Sequence, residues 1–419
     1  MRILWVKMGG LWPSTAGGRI RSLETLSCLS RRHDVTVVTT HGPGDDPDGL
    51  RRRLPYCERI VSIPFTAPRA GTPAFARALA GSWCSGSPVD LWKWQSRDVL
   101  EQVRSLVAAG GAEVCVADFL VSVGNIPLLP RVPTVLFQHN VEHMIWRRIA
   151  DLERRPLRRA LLEIEAWKMR QAERRACTAA DLVVAVSDDD CQRLHALAPR
   201  SRCVAIPTGV DTAYFRPSTA REVPRRLVFT GSMDWFPNED AILYFVDAIL
   251  PRIRAEIDDI SLTVVGRNPS ARLRAAVEPA GVTVTGTVDD VRPYVDEAAL
   301  YIVPLRAGGG TRLKIFEALS MGKAVVSTRV GAEGLALTAG RDVVIADEPD
   351  AFAASVVTLL RDPARRLAIG RAGRQLVQSR YSWERVSSEF EHHCQSVARI
   401  RRATSGTSLA ALAREQSPS

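Results

Sequence analysis

Residues 307–323 read AGGGTRLKIFEALSMGK, a glycine run leading into a helical pattern that opens with two cations. Arg312 and Lys314 stand where a helix already presents its positive pole. Such a placement costs roughly 0.3–1 kcal/mol per charge unless an anion faces it. Glycines at 308–310 let the backbone approach a ligand closely, Thr311 suits the N-cap and Gly322 the stop. Free amides at such a turn suit phosphate, and the two cations would add charge-assisted bonds. The same residues also fit a flexible turn whose cations face solvent. Glu317 shares a helix face with Lys314, either as an ion-pair partner or as an acceptor for sugar hydroxyls. His139 and Asp118 end the strand-like runs TVLFQ and EVCVAD, the edge where α/β sheets gather ligands. His139 fits either a structural or a substrate-contacting role there, and Asp118 is placed to orient an acceptor hydroxyl. His139 and His143, four apart, could share a helix face. With no third ligand and no H-E-x-x-H pattern, a zinc site is not expected. Neither G-x-x-x-x-G-K-[ST] nor G-x-G-x-x-G occurs, which disfavours a Walker-type NTPase and a nicotinamide dehydrogenase.

The elements that must hold these residues alternate. RILWVKM, DVTVVTT, EVCVAD, TVLFQHN and DLVVAVS are short buried runs separated by helical patterns, the first of them over about 19–31. After VAIPTGVDTAYFRP the pattern restarts with RRLVFTGS, SLTVVG, VTVTG, LYIVPL, KAVVST and DVVIA. Such alternation predicts an α/β protein of two successive Rossmann-like domains, with the cleft between them as the expected site. The boundaries read as 1–206 for an N-terminal acceptor-side domain and 207–380 for a C-terminal domain. A helix over 381–401 returns to the first domain, and 402–419 form a disordered tail. Residues 65–97, rich in Pro, Gly and Ser, predict a mobile loop or loosely packed helices. Residues 141–176 predict a long charged helical region interrupted at Pro156.

The chain of 419 residues has 46% hydrophobic residues, enough for large cores, and a net charge of +10 that suggests an anionic partner without naming it. No apolar run is long enough to span a bilayer, and MRILWVKMGG enters a strand without a signal segment. The expectation is a cytoplasmic protein, with the inner face of the membrane left open. The eight scattered cysteines read as reduced thiols.

PLRAGGGTRLKIFEALSMGKAVVSTRVGAEGL resembles the nucleotide-sugar signature of retaining glycosyltransferase family 4, of GT-B fold. GGLWPSTAGGRIRSLETLSCLSRRHDVTVVTT, VLFQHN, ADLVVAVS and AIPTGVDTAYFRP resemble other parts of that family in the same order. FTGSMDWFPNEDAI and VTGTVDDVRPYV are similar to its bacterial exopolysaccharide-associated branch.

The resemblance implies two Rossmann-like domains facing across a cleft, and a nucleotide-diphosphate sugar, UDP- or GDP-linked, as donor rather than any cofactor. Glu317 then binds the ribose, while Gly309 stands where the family has its first glutamate. Gly17 and Gly18 match glycines that approach the donor phosphate, although a tight strand-to-helix turn would need them too. Gly231, with Ser232 and the MDWFPN run, replaces the family's phosphate-binding cation pair. Gly310 and Thr311 complete the glycine turn, and Arg312 and Lys314 are expected to supply the missing cations. His139 is implied to bond the donor sugar's 6-hydroxyl, joining Asp118, Arg312 and Lys314 as the catalytic set. The expected reaction is metal-independent, retaining transfer of a hexose to a glycan or lipid-linked acceptor, with no nucleic acid as partner. An epimerase of the same fold, or a non-catalytic sugar-nucleotide or nucleic-acid binding protein, are the rival readings. The tryptophans of 83–94 and the basic region 146–175 fit peripheral contact with an anionic membrane, or equally a tryptophan core beside a solvated helix.

Overall fold

A computed structural model describes residues 1–14, 17–127, 132–218, 222–307 and 313–415, with side chains described as far as 401 apart from that of residue 152. The chain forms two compact units, Met1–Pro207 with Val386–Ser419, and Thr208–Arg385.

In the first unit, strands β1 (Arg2–Lys7), β2 (Asp34–His41), β3 (Arg59–Pro64), β4 (Val114–Asp118), β5 (Thr134–Phe137), β6 (Leu182–Ala185) and β7 (Cys203–Ala205) make one sheet. Their spatial order is β3-β2-β1-β4-β5-β6-β7, with every pairing parallel. Ile3, Leu4, Trp5 and Val6 are all fully buried. Helices on both faces therefore require a continuous apolar run in β1 rather than an alternating one. Strand order reverses between β1 and β4, where Lys7 pairs in register with Asp118. That reversal is the crevice in which open α/β sheets bind ligands.

The second unit repeats the plan with β8 (Val223–Thr230), β9 (Ser261–Val265), β10 (Thr283–Val284), β11 (Ala298–Val303), β12 (Val325–Ser327) and β13 (Val344–Ile345), in the order β10-β9-β8-β11-β12-β13. All its pairings are parallel, and its reversal lies between β8 and β11.

Two outer strands of the first sheet, RIVSIP and CVA, are not marked by the buried-run criterion. Both are incompletely buried, so they lack the apolar density that identifies inner strands. The C-terminal helix Trp383–Glu415 is helical past residue 402, where the sequence predicts a disordered tail. Its stretch SLAALARE is rich in strong helix formers, which accounts for the difference; residues 416–419 lie outside the described residues. From Val386 onward the helix inserts Val386, Phe390, Cys394 and Val397 among Ile3, Trp5 and Phe137 of the first core. Residues 73–92 are helical, over Pro73–Ser85 and Val89–Trp92, and the charged region is two helices, Glu142–Leu152 and Pro156–Ala179. Among the described residues no helix is long and apolar enough to cross a membrane. All eight cysteines are free thiols.

Candidate active site

At the reversal of the first sheet, a buried ionic cluster forms around Asp118. Trp5 Nε1 donates to Asp118 Oδ2 at 2.9 Å, and His139 Nε2 lies 2.8 Å from Oδ1. The Asp118 side chain is fully buried. Burial pushes its carboxyl up, but Lys7 and the bonds from His139 and Ser22 outweigh this and hold it below the usual carboxylate range. Asp118, expected from the sequence to orient an acceptor hydroxyl, has a protein partner at each oxygen, Trp5 at Oδ2 and His139 at Oδ1. Its carboxylate thereby fixes the orientation of His139.

Burial drives His139 down to about 3 despite the nearby carboxylate, so the imidazole is neutral over the working range. Its Nδ1 is buried and has no hydrogen-bond partner among the described residues. Helix Glu142–Leu152 starts after His139, so His139 and His143 do not share a helix face; His143 Nδ1 bonds Glu173 Oε2 at 2.6 Å instead. Among the described residues no group of His, Cys, Asp or Glu could hold a metal ion.

Phe119 organises this corner. Its backbone sits at φ 69°, a strained conformation for an aromatic residue. The His139 ring stacks on it with centroids 3.7 Å apart, and Lys7 Nζ lies 3.7 Å from the same centroid. One group therefore covers each face of the ring. Burial lowers Lys7 to about 8, with Asp118 acting against the shift. Gly18 lies at the rim: a Cβ there would meet Phe119 Cζ at 2.3 Å. A side chain at 18 would thus displace the ring that positions His139. Gly17 begins the helix Gly17–Ser30. Arg21, one turn on, is fully buried, donates to the carbonyls of Gln138 and Ile206 at 2.7 Å, and stacks over Phe137. Burial lowers it to about 9. Lys7, Arg21 and Phe119 escape sequence reasoning; the only available signal was a cation in each of two otherwise buried segments.

In the second unit, helix Leu313–Ser320 follows β11 and carries Lys314 and Glu317. Lys314 Nζ donates to Asn238 Oδ1 at 2.7 Å and lies 4.1 Å from the Phe229 ring centroid. A Cβ on Gly231 would come within 2.8 Å of Lys314 Nζ, and one on Gly266 within 1.7 Å of the Gly231 carbonyl oxygen. Glycine at both positions lets the ends of β8 and β9 close together beneath the ammonium group. Gly231 and Lys314, 83 positions apart by number, are thereby brought to one point. Asn238 Nδ2 donates to the Ser232 carbonyl at 2.8 Å, and Arg267 Nε to Ser232 Oγ at 3.0 Å. Arg267 and Asn238 are further polar groups of this corner that the sequence reading does not single out. Glu317 is partly buried, and burial lifts its carboxyl to about 7, opposed by Lys314. A helix-borne carboxyl so raised gains from hydrogen-bond donors that favour its charged form. Gly309, Gly310, Thr311 and Arg312 lie outside the described residues.

Two parallel Rossmann-like sheets, each with polar groups at its strand-order reversal, define a GT-B protein of the α/β class. Sucrose-phosphate synthase of Thermosynechococcus elongatus shares this fold, with a TM-score of 0.70 over 94% of this chain and 99% of that one, at 17% identity. Anabaena Alr3699/HepE, solved with UDP and glucose, does so with a TM-score of 0.66 over 94% of this chain and 100% of that one, at 15% identity. Residues 17–214 match the model of Glycosyltransferase Family 4, and residues 224–362 that of Glycosyl transferases group 1. The chain belongs to this family of glycosyltransferases. An uncharacterized protein from the cps region of Klebsiella pneumoniae is 21% identical over 93% of this chain and 98% of its own length. The phosphatidyl-myo-inositol mannosyltransferase of Mycolicibacterium smegmatis is 32% identical over 49% of this chain and 55% of its own. A GDP-mannose-dependent alpha-(1-6)-phosphatidylinositol monomannoside mannosyltransferase of Mycobacterium tuberculosis is 26% identical over 54% and 65%. The matched stretches cover 55% and 65% of these two mannosyltransferases.

Proposed function

We propose that this glycosyltransferase moves a hexose, with retention of anomeric configuration, from a UDP- or GDP-linked donor to a glycan or lipid-linked acceptor. The observation that carries the reading is the placement of Lys314 and Glu317 on one helix after β11, with Lys314 Nζ beside the close glycine contact of Gly231 and Gly266. Glu317 receives the ribose hydroxyls and Lys314 faces the diphosphate, for which the sequence offers Arg312 as a second cation. As the bond from sugar to phosphate breaks, negative charge grows on the departing nucleotide diphosphate. Fixed cations aimed at that charge lower the barrier, since they need no reorganisation during the reaction. The departing phosphate takes the acceptor's proton while the acceptor attacks from the same face, which preserves configuration. His139, kept neutral and oriented by Asp118, offers its Nδ1 edge to a donor-sugar hydroxyl. Gly17, at the start of its helix, lets the donor phosphates approach the backbone, while the space beside Gly18 is filled by Phe119. The GDP-mannose dependence of one group of relatives and the UDP bound to a protein of like fold support a diphosphate donor. The cps-region relative favours an acceptor in surface-glycan assembly.

A panel of UDP- and GDP-sugars tested by thermal shift, followed by transfer assays with the stabilising donor, checks the proposal. The expected result is stabilisation by one nucleotide class and its loss in Glu317→Ala. Isomerisation of the donor without any acceptor would favour an epimerase, and no response to any donor would sink the reading.

A further inference from the structure

Apolar side chains collect on one outer face of the first unit. On helix Pro156–Ala179, Leu157, Leu161, Ile164 and Trp167 follow spacings of four, three and three, which align them as a stripe. All are exposed, Leu157 at 84% and Trp167 at 61%. The same helix buries Ala166, Met169 and Cys177 against the core, so packing within this unit does not account for the outer stripe. Lys168 Nζ bonds Ser82 Oγ at 3.2 Å and lies 5.4 Å from the Trp83 ring centroid. Since Lys168 sits one turn beyond Ile164, Trp83, 54% exposed, extends the stripe onto helix Pro73–Ser85, with Leu79 one turn before it. The junction is firm: Glu165 pairs with Lys168 at 2.8 Å and accepts from the Val89 amide at 2.9 Å, with both charged side chains buried.

The three tryptophans expected to act together are divided. Trp92 packs on Gly81, where a Cβ would meet its Nε1 at 2.5 Å, and Trp94 stacks on Phe65. Only Trp83 is turned outward. Around the apolar stripe lie exposed cations, Arg154, Arg155 and Arg158 at the helix start and Arg170 and Arg174 along its edge. Cations at a helix N-terminus oppose the macrodipole, so an anionic environment on this face would relieve them. A solvated charged helix has no need of exposed Trp, Leu and Ile, and a core helix would not expose them. Apolar centre and arginine rim together match a helix lying in the interface of an anionic membrane.

We propose that this face docks on an anionic lipid bilayer, with Leu157, Leu161, Ile164, Trp167 and Trp83 entering the headgroup region. The inference rests on the transferase reading only for its consequence. Val89, Asp90, Lys93 and Trp146, from the segments around these helices, line a cavity of about 590 Å³ that also touches Gly9 and Gly42 beyond β1 and β2. Docking would bring the headgroup of a lipid-linked acceptor beside that cavity.

The test uses the full chain with vesicles of phosphatidylcholine alone and of equal parts phosphatidylcholine and phosphatidylglycerol. Co-sedimentation and tryptophan emission are read at low and high salt. Salt-sensitive binding to the phosphatidylglycerol vesicles, with a blue shift, is expected. The triple substitution L157S/L161S/I164S and the charge reversal R154E/R155E should each weaken partitioning by roughly tenfold or more. Far-UV circular dichroism checks that both variants fold, and the charge reversal decides the matter if the triple variant does not. Absence of wild-type binding, or binding unchanged in folded variants, would overturn the proposal. So would self-association abolished by the triple substitution without lipid preference, since a second copy would then be the occupant. Donor binding measured on the same samples separates failure of docking from failure of the transferase reading.

Discussion

Glu317 is the residue whose chemistry is most exposed to test. Its folded-state carboxyl lies near 7, above the ordinary value of 4.5, because of burial. A raised carboxyl stabilises the fold at low pH, and that contribution is lost as pH rises through about 7. Donor binding has the opposite sign, because the carboxylate is the better acceptor for ribose hydroxyls. Donor affinity should therefore increase with pH through about 7 and become flat in Glu317→Gln, as read by titration calorimetry. Glu317→Ala should weaken donor binding roughly 10- to 100-fold, the scale of a hydrogen bond to a charged group. Asp118 behaves differently. Asp118→Asn leaves Lys7 buried without its neutralising carboxylate, and denaturant titration should show a loss of about 3–5 kcal/mol. The sequence makes Glu317 and Lys314 legible because three positions along one helix fix their common face. The corner of Lys7, Asp118, Phe119 and His139 was legible only in part, since its members come from three separate strands.

At the scale of elements, the start of helix Glu142–Leu152 depends on a residue from the next helix. Glu173 accepts from the amides of Glu142 at 2.9 Å and His143 at 3.2 Å, and from Gln138 Nε2 at 2.9 Å. The helix has no N-cap side-chain bond of its own, so this distant carboxylate answers amides that helix geometry leaves unpaired. Glu173→Ala strands several buried donors and should cost at least about 3 kcal/mol. Hydrogen exchange should localise that loss to residues 142–152, with Glu173→Gln less affected because it keeps an acceptor. The helices themselves were readable from period and from Pro156. Their capping was not, because the acceptor lies 31 positions from the first amide it serves.

At the scale of the molecule, the C-terminal helix completes the N-terminal unit. Phe390 lies 5.7 Å from Trp5 and 5.0 Å from Phe137 between ring centroids. Trp5 in turn holds Asp118. Ending the chain before Val386 should open the first core, seen as rapid limited proteolysis of residues 1–207. The second unit, Thr208–Arg385, should resist, since it has hydrophobic clusters of its own. By itself the sequence determined the α/β alternation, its restart after residue 217, the family and the Lys314–Glu317 face, because each is written in local period or in a contiguous motif. Tertiary structure alone decided that Asp118 is spent on Trp5 and His139, that Gly18 makes room for Phe119, and that Trp83 faces outward while Trp92 and Trp94 turn in. Those outcomes depend on which distant segments the two sheets bring together, and packing between segments leaves no periodic trace along the chain.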